Sequence, residues 1–220
     1  RVLKKNMVFG MTWGRAMHEF VEQLAKDERL RSLSFQNVKV VPFLGTPGAI
    51  QSDSWNTTTY SNTLATKVGN LLHCASYNLS APMYVEGTKE KELIESIDEI
   101  AKVLHMAETA DIALIGIGSM QDDSSIIKAE IRTKEEYKEL VRKGAVGEIV
   151  GRIYDKNGQT VDEDLKRKMV GISLDKIAKI PVRVGMSYGK DKIEAIKGAI
   201  AGGLVNVLVT DVPTAELLLK

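Results

Sequence analysis

Two loops in the sequence combine glycine, hydroxyl and basic residues in a pattern that suits the binding of an anion. The first runs from Thr12 through Gly14 to Arg15, between a short apolar run and an amphipathic segment. The second contains Gly189, and Lys192 follows it where another amphipathic segment begins. Backbone N–H groups at the start of a helix point outward and favour negative charge, and a basic side chain beside them strengthens that preference. Each loop therefore predicts a site for a phosphate or a carboxylate, although a plain turn with a surface arginine explains the first loop equally well.

Other polar residues follow a third apolar run or interrupt a glycine-rich one. Gly116 and Gly118 end the run from Ile112, and Asp122 comes four residues later. This Gly-x-Gly pattern lacks the third glycine and the immediate helix of a dinucleotide-binding loop, which argues against a nucleotide cofactor. The two glycines still open the carboxyl end of a strand to a ligand. Glu148 lies in a glycine-rich run, where it is either an exposed strand residue or an acceptor for ligand hydroxyl groups.

The elements that must position these residues alternate between apolar runs and amphipathic segments. Short β-branched runs predict buried strands, and apolar residues three and four positions apart predict helices. This alternation predicts one α/β domain with a largely parallel, Rossmann-like sheet, helices on both faces and a site at the carboxyl ends of the strands. The predicted strands are Val8–Met11, Val38–Phe43, Ala81–Val85, Ile112–Ile117, Gly144–Tyr154, Val182–Met186 and Val205–Val209. The predicted helices begin near Arg15, Asn62, Glu90, Thr133, Leu174, Asp191 and Thr214, and the one from Glu90 runs to Met106.

The composition is that of an ordinary globular protein. The chain has 220 residues, of which 44% are hydrophobic, and a formal net charge of +1. That charge provides no excess to favour nucleic acid or an anionic membrane, and no apolar run approaches the length of a membrane span. A single cysteine, Cys74, excludes an internal disulfide and agrees with a cytoplasmic protein. The three histidines, none of which lies in a glycine-rich loop, are interpreted as structural.

Eight short motifs occur in an order and spacing that resemble the sugar-binding domain of the SorC family of bacterial transcription regulators. They are T-W-G-R at 12–15, V-V-P at 40–42, G-I-G-S-M at 116–120, G-A-V-G-E-I at 144–149, D-x-x-G at 155–158, G-I-S-L at 171–174, K-x-x-A-I at 192–196 and L-V-T-D at 208–211. The resemblance implies a fold similar to the ribose-phosphate isomerase and glucosamine-phosphate deaminase group. It also implies a phosphorylated sugar or polyol effector, a homodimer or homotetramer, and operator binding through an N-terminal helix-turn-helix domain that residues 1–220 do not include.

The resemblance assigns roles to several residues. Thr12, Gly14 and Arg15 would hold the phosphate, while Lys192 would contact the phosphate or a sugar oxygen. Glu148 would accept hydroxyl groups, and Asn62 matches a polar position at the head of the second helix. The full set of expected ligand-binding residues is Thr12, Gly14, Arg15, Asn62, Gly116, Gly118, Asp122, Glu148, Gly189 and Lys192.

Two departures from the family pattern affect these expectations. Some members place an arginine shortly after V-V-P, whereas Phe43 and Leu44 stand here, which argues against an effector with two phosphates. The segment Gln51–Thr58 resembles an insertion at the mouth of the predicted site.

Three alternatives remain beside a non-enzymatic effector domain without cofactor or metal. A sugar-phosphate isomerase or deaminase could use the same fold, with Asp122, Asp123 or Glu148 as the base. Lys192 could form a Schiff base with an aldehyde effector. The domain could also be a purely structural oligomerisation module, although its glycine-rich loops argue against this.

Overall fold

The computed structural model describes residues 6–29, 35, 37–47 and 57–220. Nine strands alternate with ten helices in this part of the chain. The strands are β1 Val8–Met11, β2 Lys39–Pro42, β3 Ala75–Ser76, β4 Ile112–Gly116, β5 Gly118–Ser119, β6 Ala145–Ile149, β7 Arg152–Asp155, β8 Val182–Met186 and β9 Val207–Val209. The helices are α1 Arg15–Lys26, α2 Ser61–Leu71, α3 Thr88–Glu95, α4 Asp98–Glu108, α5 Ser125–Lys128, α6 Lys134–Arg142, α7 Glu163–Lys168, α8 Leu174–Ile177, α9 Ile193–Ala201 and α10 Val212–Leu218.

The main sheet has six parallel strands in the order β3-β2-β1-β4-β8-β9. The chain builds one half outward from β1 and then crosses back to build the other half outward from β4. The direction of winding thus reverses between β1 and β4, and the carboxyl ends of these two strands diverge into different loops. Such a switch point is where open parallel sheets form ligand clefts.

Apolar side chains cover both faces of this sheet, as a parallel sheet requires. Strand β4 shows the alternation directly, because Ile112 and Leu114 pack with α1 and α2 while Ala113 and Ile115 pack on the opposite face. That opposite face also receives α9 and a small antiparallel sheet of order β5-β6-β7. The predicted fold class, a largely parallel α/β sheet flanked by helices, is confirmed.

Several predicted elements are confirmed closely. Strand β1 has the predicted bounds, and the β8–α9–β9 unit forms the predicted parallel neighbours. Thr133 caps α6 in a capping box, since its hydroxyl accepts the N–H of Glu136 and the Glu136 carboxylate accepts the N–H of Thr133. Asp211 caps α10, because its carboxylate accepts the N–H of Thr214.

Other predictions about elements are wrong. The helix expected over Glu90–Met106 is two helices, because Ile97 adopts an extended conformation and begins α4. The strand expected over Gly144–Tyr154 is a hairpin, in which Val150 and Gly151 form the turn with φ of 55° and 69°. Isolated bridges replace the strand expected at 81–85. Asp191 caps no helix, since α9 follows a short 3₁₀ turn, Lys190–Lys192, that has no side-chain cap.

Among the described residues, no helix combines the length and the apolar character needed to cross a membrane. Most of the expected insertion at Gln51–Thr58, namely residues 51–56, lies outside the described residues.

Candidate functional site

A cleft of about 330 Å³ opens at the carboxyl end of the main sheet, at the switch point between β1 and β4. Five separate segments line it: the β1–α1 loop, the end of β4 with β5, the residues at the start of α5, the hairpin strand β6, and the loop from β8 towards α9. The lining residues are Trp13, Gly14, Arg15, Ala16, Gly116, Ile117, Gly118, Ser119, Asp123, Ser124, Ser125, Glu148, Ser187, Tyr188, Asp191 and Lys192. Three glycine-containing loops that lie far apart in the sequence therefore meet at one place.

The β1–α1 loop presents a helix N-terminus to this cleft. Gly14 precedes α1 with φ of 109° and ψ of 174°, a conformation that is accessible essentially to glycine alone. The N-cap residue Gly14 has no side chain that could accept the N–H groups of the first turn of α1, and Gly14, Arg15 and Ala16 line the cleft beside those groups. This geometry suits an anion, because those groups point outward with the positive end of the helix dipole.

Thr12 holds the two central loops together from beneath the cleft. It is fully buried, its Oγ1 accepts the N–H of Gly116 at 2.9 Å, and its hydroxyl lies 3.4 Å from the carbonyl oxygen of Trp13. The hydroxyl thus links the end of β4 to the loop after β1. Its observed contacts are structural, whereas the sequence places Thr12 among the residues that touch the ligand.

Lys192 lies inside the cleft within a cluster of polar groups. Its Nζ donates to Ser119 Oγ at 2.8 Å and lies 3.7 Å from Asp191 Oδ2. The Ser119 hydroxyl in turn donates to Asp191 Oδ2 at 3.3 Å. The Lys192 side chain is only 20% exposed, so its charge is less screened by solvent than that of a surface lysine.

Glu148 is a buried carboxylate on the opposite wall. It is 6% exposed, accepts the N–H of Gly151 and is hydrogen-bonded by Trp13. Burial raises the pKa of Glu148 above its ordinary value, and these two donors together with Lys192 only partly offset that effect. Gly118 lies directly against it, since a Cβ there would come within 2.8 Å of a Glu148 carboxylate oxygen.

An ion pair spans the mouth of the cleft. Arg15 Nη2 donates to Asp123 Oδ2 at 2.8 Å, and the two side chains are 67% and 55% exposed. Partial burial would raise the pKa of Asp123, but the hydrogen bond and charge of Arg15 outweigh it and keep that pKa below its ordinary value. The pair joins the β1–α1 loop to the segment before α5, and any anion bound at the start of α1 competes with Asp123 for Arg15.

Four of the residues predicted from the sequence, Thr12 and the three described next, lie outside the lining of the cleft. Asn62 is fully engaged, with Nδ2 donating to Thr46 Oγ1 at 2.8 Å and to the Leu79 carbonyl at 3.1 Å while its Oδ1 accepts the Leu79 N–H. The Gly189 N–H donates to Thr214 Oγ1 at 2.8 Å. Asp122 is exposed and its neighbour Asp123 lines the cleft instead.

Several lining residues escaped prediction as ligand-binding residues. Trp13, Ser119, Asp123 and Asp191 each make a polar contact inside or at the mouth of the cleft. Each of these residues lies within a few positions of a predicted glycine, and this proximity is the sequence signal that could have identified them. The Phe43 and Leu44 positions, where some relatives place an arginine, are fully buried and contribute no charge.

The cleft combines cationic groups with hydrogen-bond acceptors. Arg15 and the N-terminus of α1 supply positive charge beside the β1–α1 loop, and Lys192 adds an ammonium group that contacts Ser119 and faces Asp191. Glu148, Asp191 and Ser119 can exchange hydrogen bonds with hydroxyl groups. The arrangement suits a small molecule that carries both an anionic group and hydroxyl groups. Within the described residues, no group of three or more histidine, cysteine, aspartate or glutamate side chains is placed to hold a metal ion.

Comparisons with known proteins agree with this chemistry. A family model described as "Putative sugar-binding domain" matches residues 1–220. The sorbitol operon regulator of Klebsiella pneumoniae is 30% identical over 222 residues, which cover 100% of this chain and 67% of that protein. The transcriptional regulator LsrR of Escherichia coli O157:H7 is 35% identical over 159 residues, which cover 70% of this chain and 50% of that protein. The chain thus matches about half to two thirds of the length of these relatives.

Solved structures show the same similarity. The full-length sorbitol operon regulator SorC of Klebsiella pneumoniae superposes with a TM-score of 0.87 at 30% identity, covering 100% of this chain and 67% of that one. The probable sor operon regulator of Shigella flexneri superposes with a TM-score of 0.86 at 27% identity, covering 100% and 82%.

Proposed function

This chain belongs to the sugar-binding domain family of SorC-type transcription regulators, and on that premise we propose that it senses a phosphorylated sugar or polyol. The effector binds in the cleft at the switch point of the sheet. Residues 1–220 act as one effector-binding domain, and binding alters the affinity of the longer protein for its operator DNA. The relatives' names support a regulatory role, and the phosphate is the part that this proposal adds.

The presence of phosphate-binding and hydroxyl-binding groups in one cleft is the observation on which the proposal rests. The uncapped start of α1 and the Arg15 side chain provide backbone and guanidinium donors, a combination that binds phosphate in many proteins. Lys192 enters the same cleft from the β8–α9 side. Glu148 lies on the wall formed by β6, where a carboxylate can accept sugar hydroxyls without facing the phosphate.

The domain is proposed to act without catalysis and without a cofactor. Its relatives are named as regulators and not as enzymes. A purified domain should therefore leave aldose and ketose phosphates unchanged, and turnover of any of them would favour the enzyme instead.

The remaining partners follow from the family. We place the protein in the bacterial cytoplasm as a homodimer or homotetramer, with operator DNA bound through an N-terminal helix-turn-helix domain. Because residues 1–220 have a net charge of only +1, this part alone should not bind operator DNA measurably.

Calorimetric titration with matched pairs of ligands tests the proposal. Candidate sugars and polyols are screened by thermal shift, because a ligand that binds only the folded state raises its melting temperature. Each compound that binds is then titrated beside its unphosphorylated parent. We expect the phosphate ester to bind at least about tenfold more tightly, as one charge-assisted hydrogen bond provides about 1.5–3 kcal/mol. Equal affinity of ester and parent would show that the cleft does not recognise phosphate.

A further inference from the structure

A second cavity lies in the described part of the chain and shares no lining residue with the cleft. It has a volume of about 570 Å³ and opens between α3, α4 and α7 and the segment that follows α7. The lining residues are Thr88, Lys91, Glu92, Glu95, Leu104, Glu108, Arg152, Lys166, Arg167, Gly171 and Ser173. Nothing in the proposed effector function uses this cavity.

Arg152 forms a wall of this cavity and is unusual for an arginine. It is 3% exposed, and its Nη2 donates to the carbonyl oxygens of Met169 and Gly171, each at 3.1 Å. Its Nε and Nη1 are buried and have no acceptor among the described residues. Burial lowers the pKa of Arg152 to about 10, although the charges of Glu95 and Glu148 oppose that change. A buried cation with three unused N–H donors, one at Nε and two at Nη1, is costly unless an anion compensates it.

The charged side chains around the cavity do not supply that anion. Four of them are paired, in three ion pairs: Lys91 with Glu95 at 2.7 Å, Lys166 with Glu163 at 3.3 Å, and Glu108 with Lys176 at 3.0 Å. Glu95 is the carboxylate whose charge acts most on Arg152, yet its hydrogen bond goes to Lys91.

After this pairing, the described lining retains an excess of positive charge. Arg152 and Arg167 remain without an acidic partner, and the exposed Glu92 is the single carboxylate left to set against them. The cavity therefore favours an anionic occupant over a cationic one.

We propose that this cavity binds a small oxyanion of the phosphate type, with Arg167 as its direct ligand and the buried charge of Arg152 in the wall behind it. The planar fork of the exposed Arg167 guanidinium group matches tetrahedral oxyanions with two parallel N–H donors, and the uncompensated charge of Arg152 favours an anion nearby. The hydroxyl groups of Thr88 and Ser173, which also line the cavity, can donate to the remaining oxygens. The group bound is either free phosphate or the phosphate of a small ester.

Anomalous diffraction locates the anion directly. Crystals of the 220-residue chain are soaked in selenate, a tetrahedral dianion whose selenium gives an anomalous peak. We expect a peak within hydrogen-bond distance of Arg167 and beside Arg152, separate from any peak at the start of α1. An empty second cavity in crystals that bind selenate in the cleft would overturn the proposal.

Titration measures the role of the arginines in solution. Inorganic phosphate is titrated into the Lys192→Ala chain, in which the cleft is weakened. Adding Arg167→Ala should reduce the remaining affinity by about tenfold to a hundredfold, the loss expected for one charge-assisted hydrogen bond. Adding Arg142→Ala instead removes another exposed arginine, whose side chain is 73% exposed on α6, and should leave phosphate binding unchanged.

If the Arg152→Gln variant folds, it should no longer bind phosphate in this cavity. If it does not fold, the Arg167→Ala variant tests the proposal. Unchanged binding in the Arg167→Ala background would refute the assignment. Competition by glycerol 3-phosphate would identify an ester as the bound form, and phosphate binding without such competition would identify the free anion.

Discussion

Replacing Lys192 by alanine should weaken binding of the phosphorylated effector while leaving the unliganded fold intact. Lys192 contributes the only ammonium group among the described lining residues of the cleft. Its Nζ has three donors, of which one goes to Ser119 Oγ and another faces Asp191 at 3.7 Å. At least one donor therefore remains for an oxygen of the effector.

The size of the loss follows from this geometry. A charge-assisted hydrogen bond is worth about 1.5–3 kcal/mol net, which is about tenfold to a hundredfold in Kd at roughly 1.4 kcal/mol per decade. The side chain of Lys192 is 20% exposed, so salt should screen this contact less than it screens the mouth ion pair of Arg15. We expect the effect of Lys192→Ala to persist at physiological ionic strength.

The fold itself should change little. In the unliganded protein, alanine removes one hydrogen bond to Ser119, whose hydroxyl still donates to Asp191. The melting temperature of the variant should accordingly stay close to that of the wild type.

Calorimetric titration with the effector from the thermal-shift screen measures the prediction. Lys190→Ala is the matched control, because Lys190 lies in the same loop but is exposed and outside the cleft lining. Lys192→Arg keeps the positive charge and should therefore retain part of the affinity, although arginine cannot form a Schiff base. Borohydride treatment followed by mass spectrometry tests the Schiff base itself.

Two results would refute this reasoning. Wild-type affinity in the Lys192→Ala variant would show that the ammonium group does not touch the effector. An equal loss in the Lys190→Ala variant would show that the loop acts through its net charge alone.

Three further predictions concern other parts of the cleft. Asp123→Asn should raise effector affinity up to about fivefold in calorimetry, because it frees Arg15 from an exposed ion pair of about 0.2–1 kcal/mol; weaker binding would instead make Asp123 a ligand. Glu148→Gln should gain stability over the wild type as pH rises above 4.5, since burial raises the pKa of Glu148 and its ionised form opposes folding, whereas below that pH the difference should level off. Denaturant titrations across pH measure this difference, and a rise in the stability of the wild type relative to the variant with increasing pH would contradict the prediction. Gly14→Ala should lower stability by about 1–3 kcal/mol through its φ of 109° and also weaken effector binding, whereas Gly144→Ala, with φ of 95° and equally open surroundings, should affect stability alone.

The sequence predicts the fold well where local patterns and neighbouring strands agree. Strand β1, helix α1 and the β8–α9–β9 unit follow from β-branched runs, glycine breaks and apolar spacing. The break between α3 and α4 could not be predicted, because Leu93, Ile97 and Leu104 keep helical spacing across it. Leu93 and Ile97 are in fact 69% and 50% exposed, so their periodicity does not mark a buried face.

The candidate site is predictable only in part, since its residues meet through tertiary structure. Glycines mark the loops that converge, and Gly14 and Gly118 do border the cleft. The partner of each polar side chain depends on packing, which decides that Asp123 rather than Asp122 reaches Arg15. Tertiary packing buries Glu148 in the wall of the cleft and thereby raises its pKa. No local sequence pattern indicates this burial.

The pairing of β1 with β4 also determines when, during synthesis and folding, the protein can first bind its effector. Phe9 is the register partner of Ile112, more than a hundred residues later, so the centre of the sheet forms only through a long chain closure. Parallel sheets dominated by such distant pairings fold slowly, because the entropy of closure is lost before the contacts form. The lining of the cleft draws residues from both sides of this pairing, and Lys192 follows β8 later still. A nascent chain on the ribosome therefore cannot bind its effector until nearly all of the domain has emerged.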